Sequence, residues 1–182
     1  MSTTLYGALA KGMHIKPKLV ALDHASALKL LIESARDNEL LIDPSRQISI
    51  RVNKESFKVL ESNKVEVDHD LLEQALNNIL DNAGKYSYPN SVIDIQGGLT
   101  ARTRRFHISV VNVGLPIKSN EVQHCIVRGW RGDTVKHVTG EGSGIGLWIV
   151  DNIMRSHGGE LRIVPTTPSG RTEIKLIFPS QT

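Results

Sequence analysis

Along this chain apolar residues recur at helical spacing in three stretches and alternate with polar ones in five. From about Asp23 to Leu41, Ala25, Leu28, Leu30, Leu31, Ile32 and Ala35 repeat near the helical period, and Asp23 is available as an N-cap. A second helix begins after Asp68 or Asp70 and runs to about Gly84; a third spans "IGLWIVDNIMRSHGG", with Gly158 as its C′ residue. The segments "QISIRVN", "SVIDIQGG", "RRFHISVVN", "ELRIV" and "TEIKLIF" read as strands. Residues 119–129 read as a short helix begun by Ser119, and 130–144 as a polar, glycine-punctuated loop. Strands that follow one another look like hairpins. The order therefore predicts an α+β fold: a two-layer α/β sandwich whose mixed, mostly antiparallel sheet packs on helices.

Ahead of this pattern, "MSTTLYGALAKGMHIKP" is a short apolar stretch closed by Gly12 and Pro17, which reads as the tail of a larger element plus a linker. The remaining residues, 18–182, suffice for one domain with a sizeable core. No apolar run approaches the roughly 20 residues that a spanning helix requires, and the first residues lack a signal-peptide order. A single cysteine, Cys125, rules out an internal disulfide and fits a reducing compartment, so a cytoplasmic location is expected. The formal net charge of +3 suits a small anionic ligand better than nucleic acid.

The second helix raises the first chemical question, because "LNNILDNAGKYS" places Asn77, Asn78, Asp81 and Asn82, all poor helix formers, in an otherwise helical segment. On a helical wheel Leu72, Ala75, Leu76, Ile79, Leu80 and Ala83 form the core stripe. Gln74, Asn78, Asn82 and Lys85 or Tyr86 form another. Amide oxygens ligate a hard cation such as Mg²⁺, and a lysine supplies a point charge for phosphate.

Two further stretches fit the same ligand chemistry. "GEGSGIGLWIV" sets Gly140, Gly142, Gly144 and Gly146 at alternate positions just before a helix, where backbone can approach phosphate oxygens closely. It is neither a P-loop nor a dinucleotide-binding fingerprint, since no Lys-Ser or Lys-Thr follows and the spacing is GxGxG. In "VVNVGLPI" a strand ends in Asn112 and a turn follows, and Arg128 and Arg131 flank Trp130.

Taken in this order, the segments resemble the GHKL (Bergerat-type) ATP-binding superfamily and, within it, the catalytic domain of sensor histidine kinases. "LLEQALNNILDNAGKYS" is similar to the family's N box, "NVGLPI" to its first glycine box, "CIVRGWRG" to its F box and "GEGSGIGLWIVDNIMRSHGGEL" to its second glycine box. The resemblance implies a domain over 18–182 and, for 1–17, the end of a dimerisation helix with its linker. It implies ATP and Mg²⁺ as cofactors, with Asn82 as metal ligand and Asn78 assisting. It sets Lys85 and Tyr86 on phosphate and nucleoside, Asn112 on the adenine amino group and Gly114 beside the base. Gly142, Gly144 and Gly146 would wrap the phosphates, with Ile117, Ser143, Ile145, Leu147 and Thr172 completing the nucleotide site. The loop from Arg128 to Gly142 would be the ATP lid. Arg131, with Arg128, would neutralise the γ-phosphate, so that Asn78 and Arg131 carry the catalytic roles.

Three departures accompany the resemblance. The first glycine box normally begins with aspartate, and this chain has Asn112. Pro116 stands where glycine is usual, and Cys125 or Ile126 where the F box begins with phenylalanine. No histidine has the context of a phospho-acceptor: His24 lies ahead of the first strand and His157 ends a helix. The implied partners are then a dimerisation domain of the same full-length kinase, which carries the acceptor, and a response regulator; the full-length protein could be membrane-anchored. The rival readings are a GHKL ATPase and a degenerate nucleotide-binding module.

Overall fold

The computed structural model describes residues 2–132 and 142–180, with side chains from Leu5 onward. Four α-helices are present among them: α1 (Ser2–Ala10), α2 (His24–Glu39), α3 (His69–Tyr86) and α4 (Gly146–Ser156). Both expected aspartate caps form, Asp23 accepting from the Ser26 amide at 2.7 Å and Asp68 from the Leu71 amide at 3.2 Å. These bonds satisfy first-turn donors that would otherwise lack a partner. Helix α4 ends in a Schellman motif: Gly158, at φ +68°, donates to Arg155 O and Gly159 to Met154 O.

Five strands form the main sheet in the order β2 (Ser49–Val52), β4 (Val92–Leu99), β5 (Phe106–Val113), β7 (Arg171–Ile177), β6 (Glu160–Val164). Only β2 against β4 is parallel; the other three pairings are antiparallel. The register explains the alternation. Ile50, Val52, Ile93, Ile95, Ile108, Val110, Ile174, Leu176 and Ile163 share one face, against α2, α3 and α4. The opposite face carries Arg51 paired with Asp94 at 2.7 Å and Lys175 near Glu173 at 3.3 Å. The apolar face continues to the carboxyl end of β5, where its next positions are the register pair Asn112 and Thr172. Both are polar, and both are buried.

The core stripe of α3 is buried as its spacing predicts: Leu72, Ala75, Leu76, Ile79, Leu80 and Ala83 are each 5% exposed or less. Asn77 is not a site residue. Its Oδ1 accepts from Asn38 Nδ2 at 2.8 Å, a polar link between α3 and α2. The C-terminal turn of α3 is held by Arg46, whose guanidinium donates to the carbonyls of Gly84, Lys85 and Ser87. His157 joins the end of α4 to the start of α3: its Nδ1–H donates to Ile153 O, and Nε2 accepts from the Asp68 amide.

Two expectations change. Residues 119–129 form a run of turns rather than a helix, with i to i+3 bonds such as His124 N to Glu121 O and Val127 N to His124 O. Asn, His, Cys and β-branched residues dominate there, and none favours propagation of an α-helix. A second, two-stranded ladder of β1 (Val20–Ala21) and β3 (Glu66–Val67) also forms. A 3-10 segment, Lys54–Glu61, buries Phe57 over the edge of the sheet, where a Cβ at Gly97 would meet its ring at 2.7 Å.

Candidate functional site

A cleft of about 400 Å³ opens between α3, the carboxyl end of β5 with the amino end of the antiparallel β7, and the start of α4. It gathers Asn78, Asn82, Lys85, Tyr86, Asn112, Ile117, Arg131, Gly142, Ser143, Gly144, Ile145, Gly146, Leu147 and Thr172. Gly114 and Arg128 do not line it. Gly140, with the rest of the expected lid over 133–141, lies outside the described residues.

At one end the walls are buried and cross-linked. Asn112 Nδ2 donates to Ser87 Oγ at 3.1 Å, which leaves Oδ1 as an acceptor toward the cleft. Thr172 Oγ1 is 2.6 Å from Thr166 Oγ1, which accepts from the Ile117 amide. Gly114 acts behind this wall. The chain leaving α3 crosses the end of β5 there, with Ser87 bridged to Gly114 and Leu115 N donating to Tyr86 O. A Cβ on Gly114 would stand 2.1 Å from Tyr86 O, so only glycine allows the crossing.

The other end is built from half-buried amides and a helix start. Asn78 Nδ2 donates to Gln74 O at 2.9 Å, leaving its Oδ1 uncommitted within α3. Asn78 Oδ1 and Asn82 Nδ2 lie 3.4 and 3.5 Å from the position of a Cβ on Gly146, so both side chains face the first turn of α4. That helix has Ile145 as N-cap and no side-chain capping bond. Its first amides are thus available to an anion, as glycine loops before helices make them. Gly144 (φ +67°) keeps the loop tight, because a Cβ would meet Trp130 O at 2.6 Å.

Two cations at or beside this end already have anionic or aromatic neighbours. Lys85 Nζ pairs with Asp81 at 2.6 Å on the same helix. Arg128 donates to Tyr6 Oη at 2.7 Å, and its guanidinium carbon lies 5.2 Å from the Tyr6 ring centre and 5.6 Å from that of Trp148. The Arg131 side chain stands beside Gly142.

Several cleft residues escaped the sequence reading. Asp81 had a signal, its i, i+4 spacing to Lys85. Tyr6, from α1, has no local signal at all and reaches the cleft only through tertiary packing. Cys125 also lines it; burial, with the nearby Glu121 carboxylate, raises its thiol pKa to about 11, so it remains protonated and poorly nucleophilic.

The donor set fits a hard cation held chiefly by phosphate and water: amide oxygens from Asn82 and Asn78, with the Asp81 carboxylate also lining the cleft. No group of three or more His, Cys, Asp or Glu suited to a metal occurs among the described residues. No helix among them is long and apolar enough to cross a membrane.

Comparison with known proteins yields a consistent set. Residues 67–182 match the family described as histidine kinase-, DNA gyrase B-, and HSP90-like ATPase. The chain is 35% identical over 136 residues to the sensor protein CzcS of Cupriavidus metallidurans, covering 74% of this chain and 26% of that protein. It is 32% identical over 136 residues to the sensor histidine kinase YkoH of Bacillus subtilis, covering 75% of this chain and 28% of the other. The chain thus spans about a quarter of the length of these relatives. In fold it is similar to the nucleotide-free catalytic domain of histidine kinase ThkA (TM-score 0.68, 20% identity, covering 91% and 99% of the two chains). It is likewise similar in fold to the mycobacterial sensor histidine kinase MprB (TM-score 0.67, 22% identity, covering 91% and 98%).

Proposed function

Because this chain belongs to the family of histidine kinase-, DNA gyrase B- and HSP90-like ATPases, we propose that it binds Mg²⁺-ATP and donates the γ-phosphoryl group to a histidine on a separate dimerisation domain. The observation that carries the reading is the cleft. One buried end offers hydrogen bonds to a flat polar base, and the other offers amide oxygens, a lysine, an arginine and an uncapped helix start to a polyphosphate.

Each residue has a task in this reading. Asn112 and Thr172 orient the base, with Ile117 and Ile174 as apolar walls. Lys85 and the amides at the start of α4 hold phosphate oxygens. Asn82, assisted by Asn78, would hold the metal, which supplies neutralising charge to the phosphates when bound. Arg131 stabilises the charge that develops on the transferred group. Little covalent chemistry remains for the protein, since phosphoryl transfer depends on alignment and charge.

Asn78 favours transfer over hydrolysis. It stands four residues before Asn82, where related ATPases resemble one another in carrying a glutamate that polarises water. An amide accepts no proton at neutral pH, and the Asn78 nitrogen is already engaged by Gln74 O. General-base help, typically worth about 10²- to 10⁴-fold, is thereby absent from that position.

In the same reading, residues 1–17 are the end of the dimerisation helix and its linker, which agrees with the helical form of Ser2–Ala10. The further partner is a response regulator, and the domain works in the cytoplasm. The test mixes the chain with a dimerisation domain in trans and radiolabelled ATP. Acid-labile label on the partner and none on this chain is expected. Steady-state phosphate release of order 0.1 to 1 per second without partner, abolished by Asn82→Ala, would establish the ATPase instead.

A further inference from the structure

Among the described residues the buried end of the cleft contains no fixed charge, and each of its polar side chains can both donate and accept. Asn112, 8% exposed, has an amide whose two ends are alike in shape and opposite in hydrogen-bonding sense. Behind it stands Ser87, a buried hydroxyl that accepts from Nδ2 in one orientation and donates to Oδ1 in the other. Thr172, beside it across the β5–β7 register, shares a hydroxyl–hydroxyl bond with Thr166 in which either oxygen can be the donor.

Reversal of the Asn112 amide therefore leaves its bond to Ser87 satisfied. With Oδ1 toward the cleft it accepts from the 6-amino group of adenine. With Nδ2 toward the cleft it donates to a 6-oxo group, while its oxygen takes the Ser87 proton. A carboxylate at this position would have only the first option, because it accepts at both oxygens.

We propose that Asn112, backed by Ser87, makes this a purine triphosphate site that takes 6-oxopurine nucleotides as well as ATP, with residue 112 as the element that sets base selectivity. The inference rests on the reading of the cleft as a nucleotide site. Its scope is the base alone, since the phosphate end is common to all nucleoside triphosphates.

ITP is the probe, because it differs from ATP only at ring positions 6 and 1. Calorimetric titration of the wild-type chain with Mg²⁺-ATP and Mg²⁺-ITP is expected to give dissociation constants within tenfold of each other. ATP binding with ITP more than tenfold weaker would overturn the proposal. Binding of neither nucleotide would instead remove the nucleotide-site reading beneath it, and so is a distinct failure. Asn112→Asp is expected to bind ATP and to lose ITP by about 10- to 100-fold, the consequence of facing a buried acceptor with another acceptor. An unchanged ATP-to-ITP ratio in that variant would remove residue 112 from the role. The wild-type comparison decides the proposal even if the variant does not fold.

Discussion

The two ends of the cleft are built on opposite plans. At the base end the polar side chains are buried or half-buried and each is tied to another group: Asn112 to Ser87, Thr172 to Thr166, Thr166 to the Ile117 amide. At the phosphate end Lys85 is half-buried and held by an intramolecular stand-in, Asp81, and just outside the cleft the exposed Arg128 is held by Tyr6 and Trp148. The difference follows from desolvation. A neutral amide or hydroxyl can be buried once its hydrogen bonds are met, so the base end is organised before a ligand arrives. A buried lone cation would cost several kcal/mol, so cations wait at the surface on carboxylates or aromatic faces. Selectivity thus resides in the rigid end and charge neutralisation in the adjustable one.

The rigid end should break most severely. In Gly114→Ala the new Cβ falls 2.1 Å from Tyr86 O, a backbone atom, so the Ser87–Gly114 crossing must open. A loss above about 3 kcal/mol is expected, or roughly 10 °C in Tm for a domain of this size. Thermal unfolding followed by circular dichroism measures it. An unchanged Tm would mean that the crossing is slack and the base end is not preorganised.

Ser87→Ala removes one partner without adding volume. Asn112 Nδ2, buried, then loses its acceptor, which costs about 1–3 kcal/mol. Nucleotide affinity should fall along with Tm, because the orientation of the amide is no longer fixed. Loss of affinity with no loss of stability would show that Ser87 touches the ligand rather than supporting Asn112.

These two ends also differed in how far they could be read in advance. The α3 stripes were legible because a long helix repeats its environment every three or four residues, and Asn78, Asn82, Lys85 and Tyr86 do meet in the cleft. The sheet was legible because one face is apolar through five strands. The ladder of β1 and β3 was not, since two residues cannot alternate. The turns over 119–129 were misread as helix, because local polarity resembles a short surface helix when no packing is known. The purpose of Asn77 stayed open because propensity marks an unfavourable residue without saying which neighbour compensates it; here that neighbour is Asn38, 39 positions earlier. Tyr6 at the cleft was beyond any local pattern for the same reason.

At the adjustable end the expected effects are smaller and opposite in sign. Asp81→Asn frees Lys85 and removes a carboxylate from the path of a triphosphate. An ion pair with both partners substantially exposed adds little to folding, under about 1 kcal/mol, so Tm should hardly move. Nucleotide affinity should rise about 3- to 10-fold at low salt, and the gain should shrink at high salt as screening shortens the reach of both charges. A weakened affinity would make Asp81 a contributor to metal or nucleotide binding instead of a holder for Lys85.

The smallest effect is expected where α1 meets the cleft. Arg128 has two kinds of restraint there, a hydrogen bond to Tyr6 Oη and the faces of two rings. Tyr6→Phe removes only the first and Tyr6→Leu removes the hydroxyl and one ring, so the pair separates them. Exposed cation–aromatic contacts contribute about 0.5–1 kcal/mol, and an exposed hydrogen bond less. Tm should therefore fall by no more than about 2–4 °C in Tyr6→Leu and scarcely at all in Tyr6→Phe. If Arg128 is a waiting cation like Lys85, its release should tighten nucleotide binding about two- to threefold in Tyr6→Leu, and that gain should vanish in the double variant with Arg128→Ala. A gain that survives the double variant would come from the cleft mouth widening as Tyr6 shrinks, and Arg128 would then be a structural tie of α1 rather than a partner for phosphate.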